Sequence, residues 1–394
     1  MMQIPSEVLW TRTLGINLAH GKIWYSPMAF NGIFCANIYT GKTMPISDLN
    51  VLNEIYKGPK FSYVIRSGHY FYFCPYQANC ICEVNFISGE MKFYDSDYIS
   101  APHVSNVVCT QDKLYMFCNT QPQIIIFDLT TKEISVIKNT YFTEKFAKGD
   151  YFAKDVAYSD TSFFITDDQK IIKLNIRSQE VNVYDLSQYT LGESITTIAF
   201  DGMQFWLMCD NSEIIGWDEN GEVTLTYKVP KLGHAVHSII NGSNLYIFFA
   251  DNNYVMVFNL VDRKASIVEI SRGYCWEQGE KIFFHPFIDI DNAKGVYIYT
   301  FIEHKIVYLE PEGDVSYIEL FIDKEDTVYK EIYAKYLQRI FYPVKGVLQE
   351  QKDLFYYNLE SYLKGVTSDL RNNEGIKDRV GEKIYYIIDA HVLE

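Results

Sequence analysis

Along most of the chain, short apolar runs alternate with polar breaks at intervals too brief for helices. Seven runs lead the pattern: KIWYSP from Lys22, HYFYFCP from His69, KLYMFC from Lys113, SFFITD from Ser162, QFWLMC from Gln204, NLYIFF from Asn244 and GVYIYT from Gly295. Their length and their aromatic and β-branched residues predict strands. After each comes a second run that ends on a polar anchor: Asn37, Asn85, Asp128, Asn175, Asp218, Asn259 or Glu310. The turns beyond the anchors are alike too, reading NIYTGK, NFISGE, DLTTKE, NIRSQE, DENGE, NLVDRK and EPEGD. An Asn or Asp that opens such a turn accepts hydrogen bonds from its backbone, and a late Gly supplies positive φ.

Successive anchors lie 48, 43, 47, 43, 41 and 51 residues apart. That is the span of four short antiparallel strands with their connections, the unit of a β-propeller blade. The clearest unit runs from Ser194 to Tyr227. Its strands SITTIAF, QFWLMC, EIIGW and EVTLTY are joined at Asp201-Gly202, Asp210-Asn211 and Asn220-Gly221, and such dipeptides between strand-like runs are strong hairpin signals. Six further units begin near Leu14, Phe61, Val104, Ala153, Ala235 and Pro286. Solenoid coils are usually shorter, and a sandwich would not repeat one turn chemistry seven times. The predicted fold is therefore all-β: a seven-bladed propeller of four-stranded antiparallel blades over residues 1–320, with a short C-terminal helical extension. The segment Glu7 to Thr13 is expected to pair with the last blade and close the ring, which would remove an exposed sheet edge. A charged connecting segment follows over 321–350. The extension covers 351–394, where Phe355, Leu359, Leu363 and Val366 recur at helical spacing.

The repeat resembles β-propeller repeat proteins broadly, its turns being similar to those of kelch-like and quinoprotein-like blades. The kelch double glycine, the Gly-His and Trp-Asp pairs of WD40 repeats and the quinoprotein tryptophan-docking motif are absent. The resemblance thus implies an architecture, and it transfers no cofactor and no catalytic residue.

Composition narrows the function. The chain has 50 Asp plus Glu against 35 Lys plus Arg, a formal net charge of -15. Such a surface repels phosphate backbones, so no nucleic-acid partner is expected. The first ten residues do not form a signal peptide and the longest apolar runs are strand-sized. No membrane association and a cytoplasmic location are the expectations. Eight cysteines are then expected to be reduced. Cys80 and Cys82, the one close pair, share a strand face without a second pair to complete a metal set.

No phosphate-cradling loop, dinucleotide fingerprint, HExxH helix or Gly-x-Ser-x-Gly elbow occurs. The acidic runs Asp167-Asp168 and Asp289-x-Asp291-Asn292 lack full calcium-loop spacing, so neither a metal nor a cofactor is expected. The repeat itself supplies the candidate site. Twelve residues before the aromatics Trp24, Tyr72, Tyr115, Phe164, Trp206, Tyr246 and Tyr297 lie Arg12, Lys60, His103, Phe152, Ser194, His234 and His285. These positions should open the innermost strands near the central channel, and five of the seven are basic. With His237 slightly deeper, Arg12, Lys60, His103, His234 and His285 would form a funnel that attracts a small anion. Trp24 and Trp206 sit in matching blade positions and are expected to pack; Trp10, Trp217 and Trp276 fall outside the pattern, and any of them could form a sugar-stacking platform.

Two functions fit. One is a non-catalytic binding or scaffold protein whose propeller face takes a small anionic or carbohydrate ligand or a protein partner. The other is a lyase, hydrolase or epimerase acting on an anionic or sugar substrate in the funnel. In that case His103, His234, His237 or His285 would move protons, and Arg12 and Lys60 would neutralise charge.

Overall fold

The seven leading apolar runs form the strands Lys22–Pro27, Tyr70–Pro75, Lys113–Cys118, Ser162–Asp167, Phe205–Cys209, Asn244–Phe249 and Val296–Thr300. The computed structural model describes residues 8–10, 13–27, 32–48, 61–100, 102–148, 155–210, 212–250, 252–270, 284–288, 294–300, 305–311 and 313–323. Each run is the second strand of a four-stranded antiparallel meander, and seven such sheets follow one another along the chain. The blades span 13–48, 61–95, 104–138, 156–185, 195–228, 235–269 and 284–319.

Second and third strands are apolar nearly throughout because each blade is covered on both faces by its neighbours. Fourth strands are mostly half-buried or exposed, the two alternating in Val223–Lys228; one of their edges meets solvent. The core is accordingly a series of inter-blade layers. Trp24 of blade 1 meets Phe71 of blade 2 at 5.7 Å between ring centres, and Phe164 of blade 4 meets Phe205 of blade 5 at 4.1 Å. Trp24 and Trp206 pack as expected, each 3% exposed. Trp217 is fully buried against Phe164 and Tyr184 and offers no stacking platform. Trp276 lies outside the described residues.

First strands touch their neighbours all the way round, and the first strand of blade 7 (Phe284–Phe287) also meets that of blade 1 (Thr13–Ala19). They therefore surround the central axis and close the ring. The N-terminal strand Val8–Trp10 does not extend blade 7. It pairs antiparallel with Phe321–Asp323 in a separate two-stranded sheet, so the segment read as a charged connection opens with a strand. The backbone N–H of Phe321 donates to the Gly41 carbonyl of blade 1 at 3.2 Å.

Among the described residues, two helices between blades lack a sequence forecast. Thr140–Ala147 is capped by Asn139, whose side chain accepts from the Tyr141 N–H, and it buries Phe142; Ser187–Thr190 is a single turn. Both are too short for their periodicity to stand out. The chain divides into two units, Met1–Tyr329 and Lys330–Glu394. The predicted C-terminal helices fall in the second, outside the described residues. Seven cysteines are free thiols; Cys80 and Cys82 are buried in one apolar layer between blades 1 and 2, and Cys275 lies outside the described residues.

Candidate functional site at the propeller axis

Pairing within the blades defines which residues occupy the same depth along the axis. Tyr63 pairs with Cys74, Asn106 with Phe117, Thr197 with Met208, His237 with Phe248 and His285 with Tyr299. Each second-strand partner stands two residues beyond the aligned aromatic. In blade 4 the equivalent pair is Asp155 and Thr166, joined by Thr166 N–H to Asp155 carbonyl and Asp155 N–H to Thr166 Oγ1, both at 3.0 Å. Six blades thus supply Tyr63, Asn106, Asp155, Thr197, His237 and His285 to one layer.

Two side chains of this layer meet. His237 Nδ1 lies 3.8 Å from Asp155 Oδ1, although blade 5 separates their blades. Only groups directed towards the axis can span that gap. Asp155 is anchored by two backbone N–H donors, Val156 to Oδ1 and Ile198 of blade 5 to Oδ2, both at 3.0 Å. Its side chain is 4% exposed, whereas that of His237 keeps 34%. The imidazole is therefore the member of the pair that a small molecule can reach. Between them in the ring order, the buried Thr197 hydroxyl has no hydrogen-bond partner among the described residues.

Electrostatics follow from burial. Loss of solvent pushes the Asp155 carboxyl up to about 7, outweighing the two N–H donors that favour its charged form. Protein packed around the imidazole likewise disfavours its charged form and pushes His237 down to about 4, although 34% of the side chain still meets solvent. At 3.8 Å the two are beyond hydrogen-bond length, and both are mainly uncharged between those values. The phenol of Tyr63, from blade 2, is raised by burial and then by the charge of Asp155; it donates to the Ser105 carbonyl. Asp155, His237, Thr197 and Tyr63 are thus uncharged donors and acceptors between those values, with one negative charge developing on Asp155 above about 7.

The residues singled out from sequence separate into two levels. His103 and His234 stand one position before their first strands, as the offset implies, yet both engage the preceding blade. His103 stacks on Tyr76 of blade 2, with centroids 4.4 Å apart and planes 12° from parallel, and burial lowers its pKa. His234 Nδ1 sits 2.9 Å from Asp210 of blade 5. Ser194, at the same offset, donates to Asp168 of blade 4. These contacts form a rim of inter-blade clasps. His285 belongs with His237, because the first turn of blade 7 spans 288–295 where blade 6 has only 242–243. The longer turn carries the twelve-residue offset deeper into the strand. Arg12 and Lys60 lie outside the described residues, as does the side chain of His285. Asp155, Thr197 and Tyr63 escaped the sequence reading. Aligning on second-strand ends and allowing for the one-residue bulge in the first strands would have placed them beside His237.

Among the described residues, no three His, Cys, Asp or Glu side chains gather as a metal ion requires, and no helix is long and apolar enough to cross a membrane. The ring and its axial layer define a seven-bladed β-propeller. No family model and no curated protein sequence matches the chain. Among solved structures it is similar to virginiamycin B lyase from Staphylococcus aureus, with a TM-score of 0.53, 15% identity and coverage of 74% of this chain and 94% of that one. It is also similar to Kluyveromyces lactis Hsv2, with a TM-score of 0.50, 9% identity and coverage of 79% and 99%. A chain of a mitotic checkpoint complex matches at a TM-score of 0.52 and 8% identity, over 80% and 91%. Identities this low speak for the fold alone.

Proposed function

We propose that this propeller is a binding protein that takes a small, hydroxyl-bearing ligand of the carbohydrate class at its axis. The carrying observation is the meeting of Asp155 and His237 across blade 5, with the unpartnered Thr197 hydroxyl between them in the ring order. Such a layer offers donors and acceptors without a strong field, and so favours a neutral polar ligand over an anion. An anionic ligand would depend on Arg12 and Lys60. A scaffold role for the outer faces is compatible with axial binding, and the cytoplasm remains the proposed location.

Thermal shift of the full chain against neutral sugars and small anionic metabolites separates these ligand classes, since a ligand that binds the native state raises apparent stability. Stabilisation by a neutral sugar that disappears in His237→Ala is expected. Stabilisation by anions alone, abolished by Arg12→Met with Lys60→Met, would overturn the neutral-ligand reading.

A second reading has its own support. A carboxyl raised to about 7 beside an imidazole lowered to about 4 is the separation of acid and base that proton-transfer catalysis uses. The virginiamycin B lyase shows that a ring of this shape can house an enzyme, and says nothing of this chain's substrate. Turnover of a sugar or its acid derivative that is lost in both Asp155→Asn and His237→Ala would establish it.

A further inference from the structure

We infer that a second surface, on the face bearing the first and third hairpin turns of blades 1 and 2, docks an acidic peptide segment that inserts one apolar side chain. A hollow of about 260 Å³ lies there, lined by Ala19, His20, Lys22, Trp24, Phe86 and Ile87. It is independent of the axial layer.

The hollow has an apolar floor and a basic surround. Trp24 and Ala19 are buried beneath it. Phe86 stands between His20 and His69, with ring centres at 5.3 and 6.0 Å, and the Arg66 guanidinium carbon lies 5.1 Å from its centroid. Lys22 adds an ammonium at the lining. Among the described residues no carboxylate lines the hollow, in a chain whose net charge is -15. An acidic segment is thus repelled by the net charge of the molecule and attracted here by Lys22 and Arg66.

Size selects a peptide over a free small molecule. Pockets for drug-sized ligands usually enclose about 300–1,000 Å³; this one is smaller and open, suited to one inserted side chain with backbone running over the rim. That rim carries exposed apolar side chains. Ile87 is 67% exposed and Tyr39 86%, and the Tyr39 ring lies beside Gly21, between the lining residues His20 and Lys22. Exposed aromatics next to cationic groups are the residue types on which interface energy concentrates.

The test is selection of displayed random dodecapeptides on the immobilised full-length chain, followed by anisotropy titration of the selected sequences. The expected consensus is one large apolar residue flanked by Asp or Glu, with affinity falling as salt rises. Ile87→Asp and Lys22→Glu, both at exposed positions, should each weaken binding about tenfold. Val261→Asp, at the same turn position in blade 6 and equally open to solvent, should leave it unchanged. A consensus without acids, or binding indifferent to both substitutions at Ile87 and Lys22, would overturn the proposal. So would saturable binding of free phenylacetate, lost in Lys22→Glu, with no peptide enriched; that result would make the hollow a small-molecule pocket.

Discussion

Six of the seven anchors do the same work through one side-chain oxygen. Asn37 Oδ1 accepts from the backbone of Tyr39 and Thr40, Asn85 Oδ1 from Ile87 and Ser88, and Asp128 Oδ1 from Thr130 and Thr131, all within 2.8–3.1 Å. Asn175, Asp218 and Asn259 repeat the arrangement. At the seventh anchor, the Gly313 N–H donates to the Glu310 carbonyl at 3.0 Å. The turn chemistry was therefore legible residue by residue, because an Asx side chain reaches only its local backbone and needs no distant partner. Asn85→Ala removes two such bonds at a solvent-facing turn and should cost about 1–2 kcal/mol in urea unfolding. Asn85→Asp, which keeps the acceptor, should cost less than half as much. Equal losses would show that the turn does not depend on the oxygen.

At the scale of strands and turns, the blades are joined by contacts that local patterns do not encode. Lys132, in the last turn of blade 3, reaches across to blade 2. Its ammonium donates to the Tyr72 hydroxyl at 2.9 Å and to Glu83, whose other oxygen accepts from Tyr94 at 3.2 Å. The Glu83 side chain is 4% exposed. A carboxylate so enclosed is tolerated because two donors, the Lys132 ammonium and the Tyr94 hydroxyl, satisfy it, and removing the cation leaves a buried charge unpaired. Lys132→Met should destabilise the fold by about 3 kcal/mol, and adding Glu83→Gln should recover much of that loss. A double-mutant cycle by denaturant unfolding measures the coupling; additive losses would reduce the cluster to a surface pair. In sequence, Lys132 is simply one residue of the turn DLTTKE. Its role arises because blade 2 presents Glu83 and Tyr72 to that turn, a juxtaposition made only when sheets stack.

For the molecule as a whole, the axis is where blades far apart in sequence meet, and its titration should be visible in stability. The folded state keeps Asp155 protonated up to about 7, whereas an unfolded aspartate loses its proton near 3.9. Stability linked to this group is complete below about 4 and falls as pH rises towards 7. His237 has the opposite sign. Its folded value of about 4 lies below the unfolded value near 6.5, so its contribution is complete above 6.5 and is lost as pH falls towards 4. Compared with Asp155→Asn, the natural chain should lose about 4 kcal/mol between pH 4 and pH 8. Compared with His237→Gln, it should gain over the range 4 to 6.5. Urea midpoints at pH 4.5, 6 and 8 would reveal both slopes, and parallel curves for all three proteins would mean the axial groups titrate as exposed ones. Strand order, blade number and turn chemistry were determined by the sequence itself, since alternation, apolar runs and Asx turns act over a few residues and recur seven times. The depth of each first-strand residue was not, because single-residue bulges and a long turn in blade 7 shift the count between blades. Nor could sequence pair Asp155 with His237, or Val8–Trp10 with Phe321–Asp323: those neighbours exist only once the ring closes and brings distant strands to one axis or one rim.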